Sequence, residues 1–323
     1  MRAFLKEALI IIVGVIAILI VAVVIFLFWA SKQPAVPSNY YEKVVTDKAL
    51  EQKYTNKGTY DVSCIEFKAE NEKIGQFKIW YPAEMKNSER TYPLVVMANG
   101  TGVKASKYEA IFDHLASWGF IVIGNEDENS WDGISSSESL DLVLKMNEDT
   151  NSIYFGKVDL ENIGIAGHSQ GGVGAISAVT AHENGSYYKV IYTASATSSF
   201  WAHESQLGWK YDVSKIQIPY FMVAGTKEWD AGKNDDKDAT EGQGIAPLWS
   251  LKENYANISD TVFKIMARRA NTDHGDMLTY ADGYMTAWFM YHLQGDEDAG
   301  KVFIGDNAEI LTNSNWQDIV KNK

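Results

Sequence analysis

The stretch Glu161-Asn-Ile-Gly-Ile-Ala-Gly-His-Ser-Gln-Gly-Gly, followed by the small-residue run Val173-Gly-Ala-Ile-Ser-Ala-Val-Thr, constrains this chain more than any other. Ile163-Gly-Ile-Ala reads as a short buried strand, and residues 171–181, rich in Gly and Ala, as a helix that can pack close to its neighbours. Between them stands G-x-S-x-G. Alone the pattern is weak, expected by chance in roughly one chain in ten of this length. Set between strand and helix, it predicts a sharp turn that strains the backbone at Ser169 and holds the serine oxygen out of the sheet. Gly167 and Gly171 are wanted there because a Cβ at either would crowd the turn. The bland alternative is a Gly-rich turn with an idle serine.

The rest of the chain agrees with an α/β architecture. Strands are expected at residues 60–68, 76–81, 94–98, 120–123, 163–166, 189–194, 219–224 and 262–267, the first two antiparallel. Leu94-Val-Val-Met-Ala and Phe120-Ile-Val-Ile are continuous apolar runs, as for strands buried on both faces of a sheet. Helices are expected at 108–118, from 139 onward, at 171–181 and at 284–293. Strands alternating with helices imply a mostly parallel central sheet with helices on both faces. At 323 residues and 46% hydrophobic, the chain can bury one sizeable core. Its single cysteine, Cys64, excludes an intramolecular disulfide and is expected to be a small buried hydrophobe.

Ahead of this domain, residues 8–30 contain no charged side chain and are dominated by Ile, Val, Leu and Phe. As a helix rising ~1.5 Å per residue they match a ~30 Å bilayer core, so one N-terminal transmembrane helix is expected, with a cleaved signal peptide as the alternative. Arg2 and Lys6 precede the span, which places the N-terminus in the cytoplasm and the catalytic part outside the membrane. Trp29 sits where an interfacial aromatic belongs. The expected organisation is a cytoplasmic stub and anchor over 1–30, a stalk over 31–58 carrying Pro34 and Pro37, and a catalytic domain over 59–323.

A serine hydroxyl needs a base to take its proton, and the base needs a carboxylate to fix its tautomer. Of six histidines, His114 lies on a helix before the turn and reads as a surface or core residue, and His168 adjoins the serine as a wall of the site. His182 and His203 precede any suitable acid, and His292 falls within an apolar helix. His274, in Asn271-Thr-Asp-His-Gly-Asp, follows a strand in a polar loop and is the expected base. The acid should follow the strand Pro219-Tyr-Phe-Met-Val-Ala, where Gly225-Thr-Lys-Glu-Trp-Asp offers two. Glu228 is the nearer and is preferred; Asp230 is the alternative acid. Backbone N–H groups of Gln170 and Thr101 are the expected oxyanion donors. Asp235, Asp236 and Asp238 miss the spacing of a calcium loop, and neither metal nor cofactor is expected.

With these residues placed, the chain from about Thr59 to Leu293 resembles the α/β-hydrolase superfamily, within it the dienelactone-hydrolase-like and polyester-degrading, cutinase-like hydrolases. Ala116-Ser-Trp-Gly-Phe-Ile-Val-Ile, Tyr154-Phe-Gly-Lys-Val-Asp, the G-x-S-x-G stretch and the late Asp-His-Gly carry the resemblance. It implies ester hydrolysis through a Ser169 acyl-enzyme, with Thr101 and Gln170 facing the oxyanion. The chain departs from dienelactone hydrolases in having a serine where they use a cysteine, and acidic rather than basic surroundings. It departs from the polyester hydrolases in Gln170, where they have Met, in Glu228 as the preferred acid and in its lone Cys64, so polyester activity is not inferred from these residues.

A net charge of −13 with four arginines argues against nucleic acid and polyanions. Glu126, Asp127, Glu128 and Asp132, expected in a loop near the site, favour a neutral or cationic ester or amide. Trp131, Trp201, Trp209 and Trp229 fall on loops of the catalytic face as candidate apolar walls, and the short segment after the helix leaves an open cleft. Asn99-Gly-Thr is formally a glycosylation sequon, but a glycan there would obstruct the site, which favours a bacterial surface. The expected partners are thus an ester, small or polymeric, and a lipid bilayer through residues 8–30. Two alternatives remain: an acyltransferase with the same residues, and a catalytically silent binding module of this fold.

Overall fold

The computed structural model describes residues 14–26, 28–29, 33–204 and 207–323. The chain divides into two compact units, Met1–Ala35 and Val36–Lys323. In the first, residues 14–26 are helical, with apolar side chains such as Ile18, Ile25 and Phe26 exposed. Among the described residues no helix is long and apolar enough to cross a membrane; the span expected at residues 8–30 falls partly on positions outside them.

The second unit is built on one nine-stranded sheet: β1 (Val62–Lys68), β2 (Gln76–Pro82), β3 (Tyr92–Ala98), β4 (Ile121–Asn125), β5 (Val158–His168), β6 (Tyr188–Ala194), β7 (Tyr220–Gly225), β8 (Lys264–Arg269) and β9 (Trp316–Lys321). Their spatial order is β1-β2-β4-β3-β5-β6-β7-β8-β9. From β4 through β8 neighbouring strands are parallel, while β1 with β2, β2 with β4 and β8 with β9 are antiparallel. The helices are α1 (Ala49–Thr55), α2 (Glu109–Ser117), α3 (Ile134–Glu148), α4 (Gln170–Ala181), α5 (Leu248–Asn257) and α6 (Asp282–Gln294), with shorter turns between.

Side chains of β3 alternate between two cores, which is why its sequence is apolar throughout. Val95 and Met97 join α2 and α6 through Phe112, Leu115, Trp288 and Phe289; Leu94, Val96 and Ala98 join α3, α4 and α5 through Leu140, Ile176 and Leu251. Trp288 and Phe289 are fully buried, and truncating either to Ala costs about 3–5 kcal/mol at such sites. Because the central strands are parallel, the loops after β3, β5, β6, β7 and β8 emerge at one edge of the sheet.

Four expectations change. Of the stalk expected over 31–58, residues 36–58 do not stand apart: Val36, Tyr40, Val44 and Tyr54 are buried in the second unit, and α1 packs there. Cys64 is exposed, because alternate residues of the edge strand β1 face solvent. The acidic loop ends early, at α3, which starts at Ile134 and not at Ser139. Helix α5 and the edge strand β9 were not expected, the latter because Trp316-Gln-Asp-Ile-Val-Lys is short and half polar.

Candidate active site

Ser169 stands between β5 and α4 with φ 59° and ψ −124°, a conformation L-residues rarely adopt. Such strain costs on the order of 1–3 kcal/mol and persists only where the surroundings impose it. They do so here: a Cβ on Gly167 would collide with the Gly171 carbonyl, and one on Gly171 with the Ala98 carbonyl. The apolar strand and the small-residue helix therefore meet with the serine at the apex.

His274 follows β8. Its Nε2 lies 2.9 Å from Ser169 Oγ, and its Nδ1 lies 2.7 Å from Asp230 Oδ1. Asp230, in the short helical turn Glu228–Ala231 after β7, is fully buried; its second oxygen accepts from Ser195 Oγ at 2.5 Å and from the Gly225 N–H at 2.6 Å. Glu228, the preferred acid of the sequence reading, is not at His274. Its side chain is 68% exposed and pairs loosely with Lys233 at 3.9 Å. The two carboxylates are two positions apart on one helical turn, and such side chains point to different sides. The acid and base loops are laced together: Thr226 and Lys227 donate their N–H groups to the Thr272 carbonyl, and the Trp229 N–H donates to Asp273 Oδ1.

His168 lies against the base, the ring centroids 4.7 Å apart, and donates from Nε2 to the His274 carbonyl at 2.8 Å. Loss of hydration, and then the neighbouring His274, push its pKa down to about 4. At neutral pH it is an uncharged donor, which holds the His274 backbone in place.

The loop after β3 runs beside the serine, since a Cβ on Gly100 would sit 3.7 Å from Ser169 Cβ. Thr101 is exposed at its tip. Gln170 begins α4, where the first N–H groups have no partner within the helix. Its buried side chain accepts from the Ser130 N–H at 2.9 Å, and Ser130 Oγ donates to the Asn99 carbonyl at 2.6 Å. Asn99 is fully buried and donates to the carbonyls of Asn125 and Asp127, so the sequon is occupied by internal hydrogen bonds.

Of the four candidate tryptophans, Trp229 is 69% exposed, Trp201 is exposed with its indole N–H on the Gly244 carbonyl, and Trp131 and Trp209 are half-buried. A cavity of about 260 Å³ opens beside Glu228, Trp229 and Ile245. A larger one of about 690 Å³, lined by Phe200, Tyr211, Trp249 and Glu253 among others, is not lined by Ser169 or His274. Of the acidic loop, Asp127 is buried beside Lys73 at 3.5 Å and Glu126 accepts from Ser106, which leaves Glu128 exposed. Asp235 accepts from the Trp249 N–H at the start of α5, and Asp236 from the Asp238 N–H. His182 faces the Asp132 carbonyl, His203 accepts from the Tyr211 N–H, and His292 packs on Trp288.

Sequence reasoning passed over Ser195 and Ser130, and read Asn99 only as part of a sequon. Ser195 has φ 51° directly after β6, and the only signal was its position as the first polar residue beyond a buried strand.

The parallel sheet and a serine, histidine and carboxylate at its C-terminal edge define an α/β hydrolase. A family model described as PETase, PET hydrolase-like, matches residues 46–241, and the chain belongs to that family. It is therefore a hydrolase acting on esters. No curated protein matches the chain.

Proposed function

We propose that this protein is a serine ester hydrolase that forms an acyl-enzyme on Ser169, with His274 as base and Asp230 as the triad carboxylate. The observation that carries this reading is the continuous line from Asp230 Oδ1 through the His274 ring to Ser169 Oγ, at 2.7 and 2.9 Å, ending on a strained apex. Asp230 holds the proton on Nδ1, which leaves the Nε2 lone pair facing the serine hydroxyl. Ser169 Oγ attacks the ester carbonyl as Nε2 takes its proton. The tetrahedral oxyanion accepts from the Gln170 and Thr101 N–H groups. Collapse expels the alcohol, which takes the proton from Nε2, and a water repeats the sequence on the acyl-enzyme to release the acid.

The substrate is a neutral carboxylic ester, polyester chains included. Family membership supports this, as do the exposed Trp229 and Trp201 as apolar walls and the acidic surroundings that repel anions. The test is a fluorophosphonate probe on the full chain with peptide mass spectrometry. Label on Ser169, lost in His274→Ala, is expected; a folded protein that takes no label overturns the reading.

We also propose that residues 8–30 anchor the chain in a membrane with the catalytic unit outside it. The uncharged apolar run, Arg2 and Lys6 ahead of it, and the exposed apolar side chains of residues 15–26 support this. The protein should stay with the membrane fraction through a high-salt wash and leave it only in detergent. Release by salt alone contradicts the anchor.

A further inference from the structure

The geometry points to the N-terminal segment 36–58 as a positioning clamp for the loop that carries His274, with Glu51 and Tyr40 as its two contacts. This inference rests on the serine-hydrolase reading. The loop runs from Arg269, the last residue of β8, to Asp282, the first of α6. Both ends are held by side chains from residues 36–58.

At the first end, Glu51 is 1% exposed and lies 3.5 Å from Arg269 Nη1, itself buried. Glu51 also accepts from the Trp316 indole at 2.8 Å and from Asn313 Nδ2 at 2.8 Å. Burying a carboxylate is costly unless it is paired and hydrogen-bonded, and here both conditions are met. At the other end, the Tyr40 hydroxyl donates to Asp282 Oδ2 at 2.6 Å, both groups buried.

Helix α1 is held in place by distant groups. Glu309 accepts the N–H groups of Leu50 and Glu51, at 2.9 and 2.8 Å, so a carboxylate from far along the chain caps its N-terminus. His114 Nε2 donates to the Thr55 and Asn56 carbonyls at its C-terminus. A Cβ on Gly283 would strike Thr55 Oγ1, so α1 and α6 approach as closely as glycine allows. A stalk needs none of these buried charges. Placed on either side of His274, they restrict the movement that would draw its ring away from Ser169.

The test uses the full chain and two variants, Glu51→Gln, which leaves buried Arg269 without its counterion, and the milder Tyr40→Phe. Three readouts are taken well below the melting temperature: hydrolysis of a nitrophenyl ester, its pH profile, and amide hydrogen exchange. With the clamp, kcat falls about tenfold in Glu51→Gln while KM changes less than twofold, since small displacements of a catalytic group cost rate before binding. The pH profile of kcat changes with it, because the group displaced is the proposed base. Exchange in residues 270–281 speeds up and exchange in residues 165–175 does not. Tyr40→Phe shows the same pattern to a smaller degree. A purely structural role predicts a lower melting temperature with kcat, pH profile and the exchange of residues 270–281 unchanged in both variants, and that result overturns the clamp. Should the unaltered chain fail to turn over ester, the hydrolase reading fails, and the exchange measurement still decides the clamp.

Discussion

Among the described residues stand two buried histidine–aspartate pairs, and their geometry at the carboxylate is nearly the same. His274 Nδ1 lies 2.7 Å from Asp230 and His114 Nδ1 lies 2.8 Å from Asp282. What differs is the group facing the other nitrogen. His274 Nε2 meets a serine hydroxyl, which can donate, whereas His114 Nε2 meets two backbone carbonyls, which can only accept. The first ring can therefore keep a lone pair and act as a base. The second has acceptors at both nitrogens and carries both protons. Burial alone would lower the pKa of His114, but the Asp282 carboxylate and the two carbonyls outweigh it and hold the pKa above its ordinary value. A histidine beside an aspartate is thus no sign of catalysis by itself; the third partner decides whether the pair moves a proton or stores one.

The largest effects are expected on the side of His274 and Asp230. Ser169→Ala should lower kcat on the order of 10⁶-fold with the urea midpoint unchanged, since the proposed reaction makes its hydroxyl the nucleophile. Asp230→Asn should lower kcat about 10³–10⁴-fold by releasing the His274 tautomer, while Glu228→Gln stays within about twofold. Equal losses in the last two would mean that burial at Asp230 had been misread as function. On the structural side, His114→Gln removes the cationic partner of a fully buried carboxylate, leaving it the Tyr40 hydroxyl, and should cost about 3 kcal/mol in urea unfolding, with a far smaller loss of kcat than in Asp230→Asn.

The smallest expected effects are those of pH. The folded pKa of His114 is raised, so its contribution is complete below the unfolded value of about 6.5 and is lost as pH rises through the folded value. The advantage of the unaltered protein over His114→Gln should shrink from pH 6 to pH 9. His168 and His292 behave oppositely. Burial first, then His274 for His168 and Lys323 for His292, push their pKa values down to about 4 and about 3. Their contributions are present above about 6.5 and decline as pH falls toward those values, so the protein should lose stability on acidification from pH 6.5 to pH 4. A urea midpoint flat across that interval would contradict the burial of both rings.

Much of the catalytic edge is legible in the amino-acid sequence. The turn at Gly167 to Gly172, the strands of the parallel sheet and His274 in its loop are each written in contiguous residues. The spacing of Gly and apolar side chains decides them locally. His292, likewise, is the packed residue that its apolar helix implied. The pair His114–Asp282 was not legible, for its members are far apart in the sequence and neither stands in a motif. Nor was the role of residues 36–58, whose polar, lysine-rich appearance conceals Tyr40, Glu51 and Tyr54 in the core.

The mixed α/β fold, the turn at Ser169 and the loop of His274 at one edge of the sheet follow from contiguous residues, through periodicity and the backbone freedom of glycine. Which of Glu228 and Asp230 faces His274 is a matter of tertiary structure, since both lie within reach along the chain and on a helical turn only one can turn toward that ring. Tertiary structure alone turned a supposed stalk into part of the core, because burial of Glu51 becomes tolerable only when Arg269, Asn313 and Trp316 arrive from the far end of the chain. Pairings between distant residues leave no periodic trace.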